Sequence, residues 1–462
     1  MVNPSLIVPH TSPAVLRWQE HVLHERFGHT FHLHHESHVL YMGLLGSTST
    51  ITFDRLLNVF NECRSDFHCH RWNAKAEGFQ GVVTDAIPAP SPIHLECPLI
   101  EKTSGGMTIH YDILGLMYWM LTRAEEVGRT DLDEHDRFPA IRSHAHQHGY
   151  LERPIVDEWM HILGQVIQRQ WPGISLKEHR FRTILSHDVD RPSRYGFANV
   201  PNIVRRMAGD LTRFDLRSAL SAPLLRLGTR TRLHQADPFN TFSWIMDQSE
   251  KIGIKSAFYF ICGHTSTARD GDYTIDHPAI RDLMRRIYLR GHEIGLHPSY
   301  NTYQDPGILR AEAETLRRIC AAEGIHQSTW GGRMHYLRWS QPSTLRAWND
   351  AGMDYDSTLT YADRPGFRCG TCYEYPAFDP CSGQILHLRI RPLVVMDGSV
   401  VNPKYMGLGN KEEATAILLQ LRRRCEECNG LFTLLWHNSE LNHTMKPIYN
   451  AAVNGISECE NI

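Results

Sequence analysis

Two carboxylates two residues apart, Asp188 and Asp190 in LSHDVDRPSRYG, close an apolar run, and that placement is the first chemical signal in the chain. Side chains alternate along a strand, so the pair shares one face. One member can bind a metal while its neighbour takes a proton from water. Three other runs end in the same manner. RGHEIGLHPSYN stops at His297, an imidazole ligand for zinc or a similar ion, with Asn301 four residues on and within reach of the same centre if the loop makes a helical turn. TWGGRMHYLRW turns on two glycines into Arg333, whose guanidinium beside the carboxylates would hold Asp188 ionised and oriented, and Tyr336 follows. LFTLLWHNSEL is very apolar and ends in Trp436, His437 and Asn438. His437 is a natural general acid for a leaving amine, with Asn438 free to orient it.

Such groups need a scaffold that gathers strand ends. From about Lys177 onward, short β-rich runs alternate with helical patterns, the signature of β/α units around a parallel sheet. The spacing predicts seven strands: Arg182 to Ser186, Ile254 to Ile261, Glu293 to Leu296, Ser328 to Trp330, Met353 to Tyr355, Ile385 to Ile390 and Leu431 to Trp436. Between them, Ile280, Leu283, Met284 and Ile287 recur at helical spacing up to Gly291, and Leu309, Leu316 and Ile319 do so up to Gly324. The catalytic groups of such a scaffold sit at the C-terminal ends of its strands. Residues 1–175 read differently, with strand-like patches (Val39 to Leu45, Met107 to Tyr111), a Pro-rich connector IPAPSPIH, and helices over Ile113 to Glu126 and Pro154 to Gln170. They are expected to form a smaller α/β domain ahead of the β/α unit at 176–462.

The order Asp-x-Asp, GHEIGxH, GGRxxY, GxDxDST and LxWHN resembles the polysaccharide deacetylase (NodB homology, carbohydrate esterase 4) family over roughly Arg182 to Leu441. The stretches RAEEVGRTDLDEHDRFPA and GYLERPIVDEW are similar to a poorly characterised domain that often precedes this barrel in bacterial surface-polysaccharide gene products. The resemblance implies a distorted (β/α)7 barrel, a divalent metal that is usually zinc, and hydrolysis of an N-acetyl or similar group on a sugar, free or lipid-linked. Carried over by position, Asp188 would be the base, Asp190 and His297 metal ligands, Arg333 the group that orients the base, and His437 the acid, with Asp356 of GMDYDST helping to tune it. Asn301 stands where the family has a second metal-binding His, and a neutral amide oxygen is a poor zinc ligand. His187 and His335 are the substitutes at hand. The Asp-x-Asp spacing replaces the family's adjacent pair, so the roles of Asp188 and Asp190 can run either way. Tyr336, Trp436, and Arg368 and Tyr375 of GFRCGTCYEYPAFDP are the expected sugar contacts. Two other readings are a non-catalytic glycan-binding or assembly protein and a hydrolase of another non-peptide C–N bond.

Composition sets the frame. A chain of 462 residues, 42% hydrophobic and 21% charged, is globular and large enough for two packed domains. A net charge of -3 gives no global pull toward nucleic acid or anionic membrane, so any such partner must use a local patch. Between Arg191 and His234, however, stand nine Arg and no Lys against Asp210 and Asp215. That segment reads either as a solvated helical excursion or as a dock for an acidic glycan, a diphosphate-linked lipid carrier or a membrane surface. Its Met207, Leu211, Phe214, Leu220, Leu224 and Leu225 are apolar enough to fold onto something. No run approaches the roughly 20 apolar residues of a membrane span, and the first residues lack a signal pattern. Eleven scattered cysteines suit a reducing compartment, so a cytoplasmic location is expected. Cys369/Cys372 and Cys425/Cys428 are two C-x-x-C pairs, but the 52 residues between them exceed common zinc-ribbon spacing. His68, Cys69 and His70 read as a packed or surface cluster.

Overall fold

The computed structural model describes residues 7–455 except Arg213 and Asp215, and the backbone alone of Arg217 and Ser218. It opens with α1 (Pro13–Phe27), begun by Ser12 as N-cap with Pro13 in the first turn and ended at Gly28, whose φ of 77° a side chain would resist. Strands β1 (Phe31–Glu36), β2 (Val39–Leu44) and β3 (Thr50–Phe53) follow. Next come β4 (Cys69–Asn73), β5 (Ala86–Pro90), β6 (Ile100–Thr103) and β7 (Gly106–Ile109). One sheet runs β1-β2-β3-β7-β6, and β4 with β5 forms a separate antiparallel ribbon. The Pro-rich connector is thus in part a strand. Proline cannot donate to a ladder, but a two-stranded ribbon always has free edges to hold it. The carbonyls of Pro88 and Pro90 accept from Trp159 Nε1 (2.8 Å) and the Tyr111 hydroxyl (3.1 Å). Helices α2 (Ile113–Leu121), α3 (His144–Gln147) and α4 (Ile155–Gln170) complete this part. The helix expected to reach Glu126 stops early because Arg123 is left-handed (φ 52°), its buried guanidinium held by Glu125 and Glu126.

The rest begins with β8 (Arg182–Val189), then a helical excursion, α5 (Val200–Thr212) and α6 (Leu216–Gly228), and α7 (Phe242–Lys251). β9 (Ser256–Ile261), α8 (Pro278–Leu289), β10 (Glu293–His297), α9 (Pro306–Ala322), β11 (Gly331–Gly332), α10 (Ser343–Asp350) and β12 (Tyr355–Asp356) alternate. β13 (Tyr375–Asp379), β14 (Gln384–Ile390), β15 (Val395–Met396), α11 (Asp397–Val401), α12 (Glu412–Glu427), β16 (Leu431–Leu435) and α13 (Met445–Asn454) end the chain's described part. Five of the seven expected strands are present over most of their span, that at Met353 to Tyr355 is reduced to β12, none of Ser328 to Trp330 is in a strand because β11 begins only at Gly331, and β13 and β15 are additional. The nine-stranded ladder runs β13-β14-β12-β11-β10-β9-β8-β16-β15, parallel except where β13 pairs with β14.

Among the described residues no strand pairing joins β13 to β15, so the ladder is open. It is nevertheless strongly curled. β14 and β15 lie seven strand spacings apart in the ladder, about 34 Å if flat, yet only residues 391–394 link them, a reach of about 18 Å. That link bonds to both sides of the gap, Arg391 N to Asp356 O (2.9 Å) and Val394 N to Thr433 O (3.2 Å). The concave face is filled by Tyr259 and Tyr355, whose hydroxyls meet at 3.0 Å. Their rings lie where side chains at Gly295 and Gly331 would be, which is why these strands carry glycine.

A single apolar cluster runs through both parts of the chain, from Trp18, Trp119 and Trp159 to Phe258, Trp348 and Trp436. Among the described residues no helix is long and apolar enough to cross a membrane.

Candidate functional site

Four strand ends deliver the polar groups to one rim. Asp188 and Asp190 leave β8 on the same side, His297 ends β10, Arg333 follows β11, and His437 follows β16. Arg333 is fully buried and donates from Nη1 to Asp188 Oδ1 (2.8 Å), from Nη2 to the Ser186 hydroxyl (2.8 Å) and from Nε to Ser357 O (2.8 Å). Asp188 Oδ2 lies 3.8 Å from His297 Nε2. Asp190 stands at the centre: Oδ1 is 3.1 Å from His297 Nε2 and 3.7 Å from His335 Nε2, while Oδ2 is 3.7 Å from His437 Nε2.

Each imidazole is oriented from behind. Nδ1 of His297 lies 2.6 Å from Arg333 O, that of His335 3.1 Å from Asp270 Oδ1, and that of His437 2.7 Å from Asp397 Oδ1. Carbonyl and carboxylate oxygens only accept, so each Nδ1 donates and each Nε2 is turned toward Asp190. Asp270 is itself held by the backbone N–H groups of Thr265, Ser266 and Tyr300. Asp397 receives the backbone N–H of His437 (2.9 Å) as well as its ring. Asp190 Oδ1, by contrast, is buried and accepts no aligned hydrogen bond, although His297 Nε2 lies 3.1 Å away.

One ligand atom each from Asp190, His297 and His335 lie within 4.8 Å of one another. Two imidazoles and a carboxylate are a donor set that fits zinc, and a buried carboxylate oxygen left without an aligned hydrogen bond among oriented nitrogens is what a cation would satisfy. Charge fits as well. Burial opposes the anionic form of Asp190, but His335, His297 and His437 outweigh it and hold its carboxyl far below the usual range. Burial likewise opposes protonated His437, yet Asp397, Asp190 and Asp188 push it up to about 10.

His335, one of the two substitutes the sequence offers, is the third member of the group, and Asn301 is not. The Asn301 side chain is exposed and engaged elsewhere, donating to Thr265 O (2.9 Å) and accepting from Arg338 (3.2 Å). His187 points the other way: it stacks on Phe258 and bonds Trp436 O. Asp356 is buried away from His437, accepting from the Thr358 hydroxyl and N–H, and burial raises its carboxyl to about 7. The partner of the acid is Asp397, not Asp356, nor Asn438, whose amide donates to Arg191 O and Phe239 O. Of the expected sugar contacts only Tyr336 lines the cavity. Arg368 is buried in an ion pair with Glu126, the Tyr375 hydroxyl donates to Leu121 O, and Trp436 is buried against Tyr449. All three are buried and engaged by neighbours in the core.

A cavity of about 480 Å³ opens over the group, walled by Arg137, Tyr336, Asp397, Tyr405 and His437. Its wall carries local strain. Tyr336 and Leu337 both have left-handed backbones (φ 59° and 57°), a cost that persists only where neighbours fix it. Arg137, from the N-terminal part, fixes it by donating to Tyr336 O (2.8 Å) while paired with Asp133. The His135 ring lies against the Tyr336 ring. Sequence reasoning found no role for Arg137, Asp270 or Asp397. A second cavity, of about 500 Å³, lies at the opposite ends of the strands around Arg182 and Leu431, and its Glu25 and Arg389 are paired with each other.

Residues 7–172 match the model of a family described as a Family of unknown function (DUF7033). No curated protein matches the chain. Among solved structures the chain is similar to a protein described as a polysaccharide deacetylase from Mycobacterium smegmatis, at 16% identity and a TM-score of 0.38, over 62% of this chain and 85% of that one. It is also similar to the allantoinase PuuE, at 12% identity and a TM-score of 0.36, over the same shares of the two chains.

Proposed function

We propose that this chain is a metal-dependent hydrolase that removes an N-acetyl or similar acyl group from a sugar of a surface polysaccharide or its precursor. One observation carries the reading. The five positions that share the deacetylase motif order, Asp188, Asp190, His297, Arg333 and His437, lie around a carboxylate oxygen that accepts no aligned hydrogen bond. The curled sheet, with all five at the C-terminal ends of its strands, is in keeping with the distorted barrel that the resemblance implies.

Asp190, His297 and His335 would hold the ion, and three protein ligands leave room for a water. When bound, a divalent cation supplies Lewis acidity toward the acyl oxygen and a lower pKa for that water. The chain's own groups handle the protons. Arg333 pins Asp188 through Oδ1 and leaves Oδ2 to accept the proton of the attacking water. This divides the carboxylates: the one bound to arginine is the base, and the one among the imidazoles is the ligand. His437, kept protonated by Asp397 behind it, gives its Nε2 proton to the nitrogen as the C–N bond breaks, so carboxylate and amine leave. Tyr336, held by Arg137, offers the sugar an aromatic wall.

The test is acyl release from a panel of N-acetylated sugars and oligosaccharides by zinc-loaded protein, with and without chelator. The reading expects chelator-sensitive acetate release that Asp188→Asn lowers by about 10²–10⁴-fold. It fails if the zinc-loaded protein binds a sugar of the panel, releases nothing, and binds equally well as Asp188→Asn.

A further inference from the structure

Half of the large apolar side chains exposed among the described residues fall between Val200 and Leu227, on the excursion between β8 and α7. They are ordered. On α5, Val200, Val204 and Leu211 fall within about 40° of arc, all exposed. On α6, Leu216, Leu220, Leu224 and Leu227 fall within about 80°, with Leu220 78% exposed, and Phe214 between the helices is 90% exposed. The hairpin is packed by other residues: Tyr195, Ala222 and Leu225 form its own small core with Ile203 and Met207. The outer stripes are therefore surplus to folding, and apolar patches of this kind mark interaction surfaces.

The charge around the stripes is predominantly positive, although Arg206 pairs with Asp272 and Arg232 with Asp282. Residues 191–234 hold nine Arg and no Glu. Of the two acids, Asp210 is buried against Arg194 and Tyr195, and Asp215 lies outside the described residues. Arg205, Arg226 and Arg230 are exposed, and none of them is paired with a carboxylate among the described residues. Behind the hairpin, Arg191, Arg194, Arg205 and Arg206 line a cleft of about 210 Å³, and Arg191 also lines the cavity over Asp190. A second copy meeting this face symmetrically would set arginine against arginine, since a twofold interface pairs a patch with itself. Helices of 13 residues are too short to span a bilayer but suited to lie in its interface.

We infer that the α5–α6 hairpin docks on an anionic membrane surface, its valine and leucine stripes entering the acyl boundary and its arginines meeting phosphate headgroups. The inference goes beyond the hydrolase reading and does not rest on it.

The full-length protein is sedimented with vesicles of phosphatidylglycerol and phosphatidylcholine, and with phosphatidylcholine alone. Binding is expected to the anionic vesicles and to fall with salt. Leu220→Ser with Leu224→Ser should weaken it by about tenfold or more per leucine, and Arg205→Ser and Arg226→Ser by about fivefold each, with metal content unchanged. Hydrogen exchange of the wild-type protein provides a second readout independent of any variant: amides of residues 200–228 should slow on anionic vesicles only. The inference is overturned if the wild type ignores anionic vesicles, if protection appears elsewhere, or if the leucine variants keep full binding. It is also overturned if the leucine pair instead dissolves a dimer seen by sedimentation without vesicles.

Discussion

Among the described residues, the group around Asp190 and the cluster around Asp157 both gather side chains of types that bind metals, and the first has the features of a site. Around Asp190, three imidazoles are fixed through Nδ1 and turn Nε2 inward, and a carboxylate oxygen between them accepts no aligned hydrogen bond. Around Asp157, Cys372 approaches the carboxylate at 3.2 Å, with Cys425 and Cys428 beside it, but nothing is left over. Asp157 accepts from the Thr371 hydroxyl (2.8 Å) and Cys372 N (2.8 Å) and pairs with Arg26 (3.3 Å). Cys369, the fourth member of the two C-x-x-C pairs, lies instead by Tyr375. A site is thus told from a core cluster by oriented ligand atoms left unsatisfied and not by residue type.

The largest effect is expected at the centre: Asp190→Ala should abolish both metal retention and turnover, whereas Cys425→Ala should change neither, read by metal analysis and acetate release. One step out, Asp397→Asn removes the charge that keeps His437 protonated and leaves one accepting oxygen for the two N–H groups that Asp397 receives, so kcat should fall by about 10²-fold or more while metal content stays constant. Behind His335, Asp270→Asn should weaken metal binding by about 10–100-fold in competition with a chelator.

The smallest effect concerns Asp356, a satisfied buried carboxyl like Asp157. Its folded pKa, about 7, lies above its unfolded value near 3.8, so the folded state binds more protons between them. Stability should therefore fall as pH rises from about 4 to 7, and Asp356→Asn should flatten that fall in thermal unfolding.

Asp188, Asp190, His297, Arg333 and His437 were legible because each ends or follows an apolar run, and strand periodicity fixes which face they share. His335 was legible only as a substitute. Its contact with Asp190 is made across the sheet, whereas the eye follows spacing within one segment, which led to Asn301. Asp397 follows a strand of two residues, too short for any period to register. Arg368, Tyr375 and Trp436 sit in suggestive loops or strand ends, but whether a side chain faces cavity or core depends on Glu126, Leu121 and Tyr449, far away in sequence or around a turn. The two edge strands of the ladder, β13 and β15, were hidden, since they carry a proline and a two-residue span. The α5–α6 leucines were visible as apolar, but their outward direction was not.

The central claim is that Asp190, His297 and His335 together hold a divalent ion. Metal content per chain of purified wild type, His335→Ala and Asn301→Ala, grown with zinc, tests it most directly. The wild type and Asn301→Ala should retain the ion and His335→Ala should lose it. Retention by His335→Ala with loss from Asn301→Ala would contradict the account.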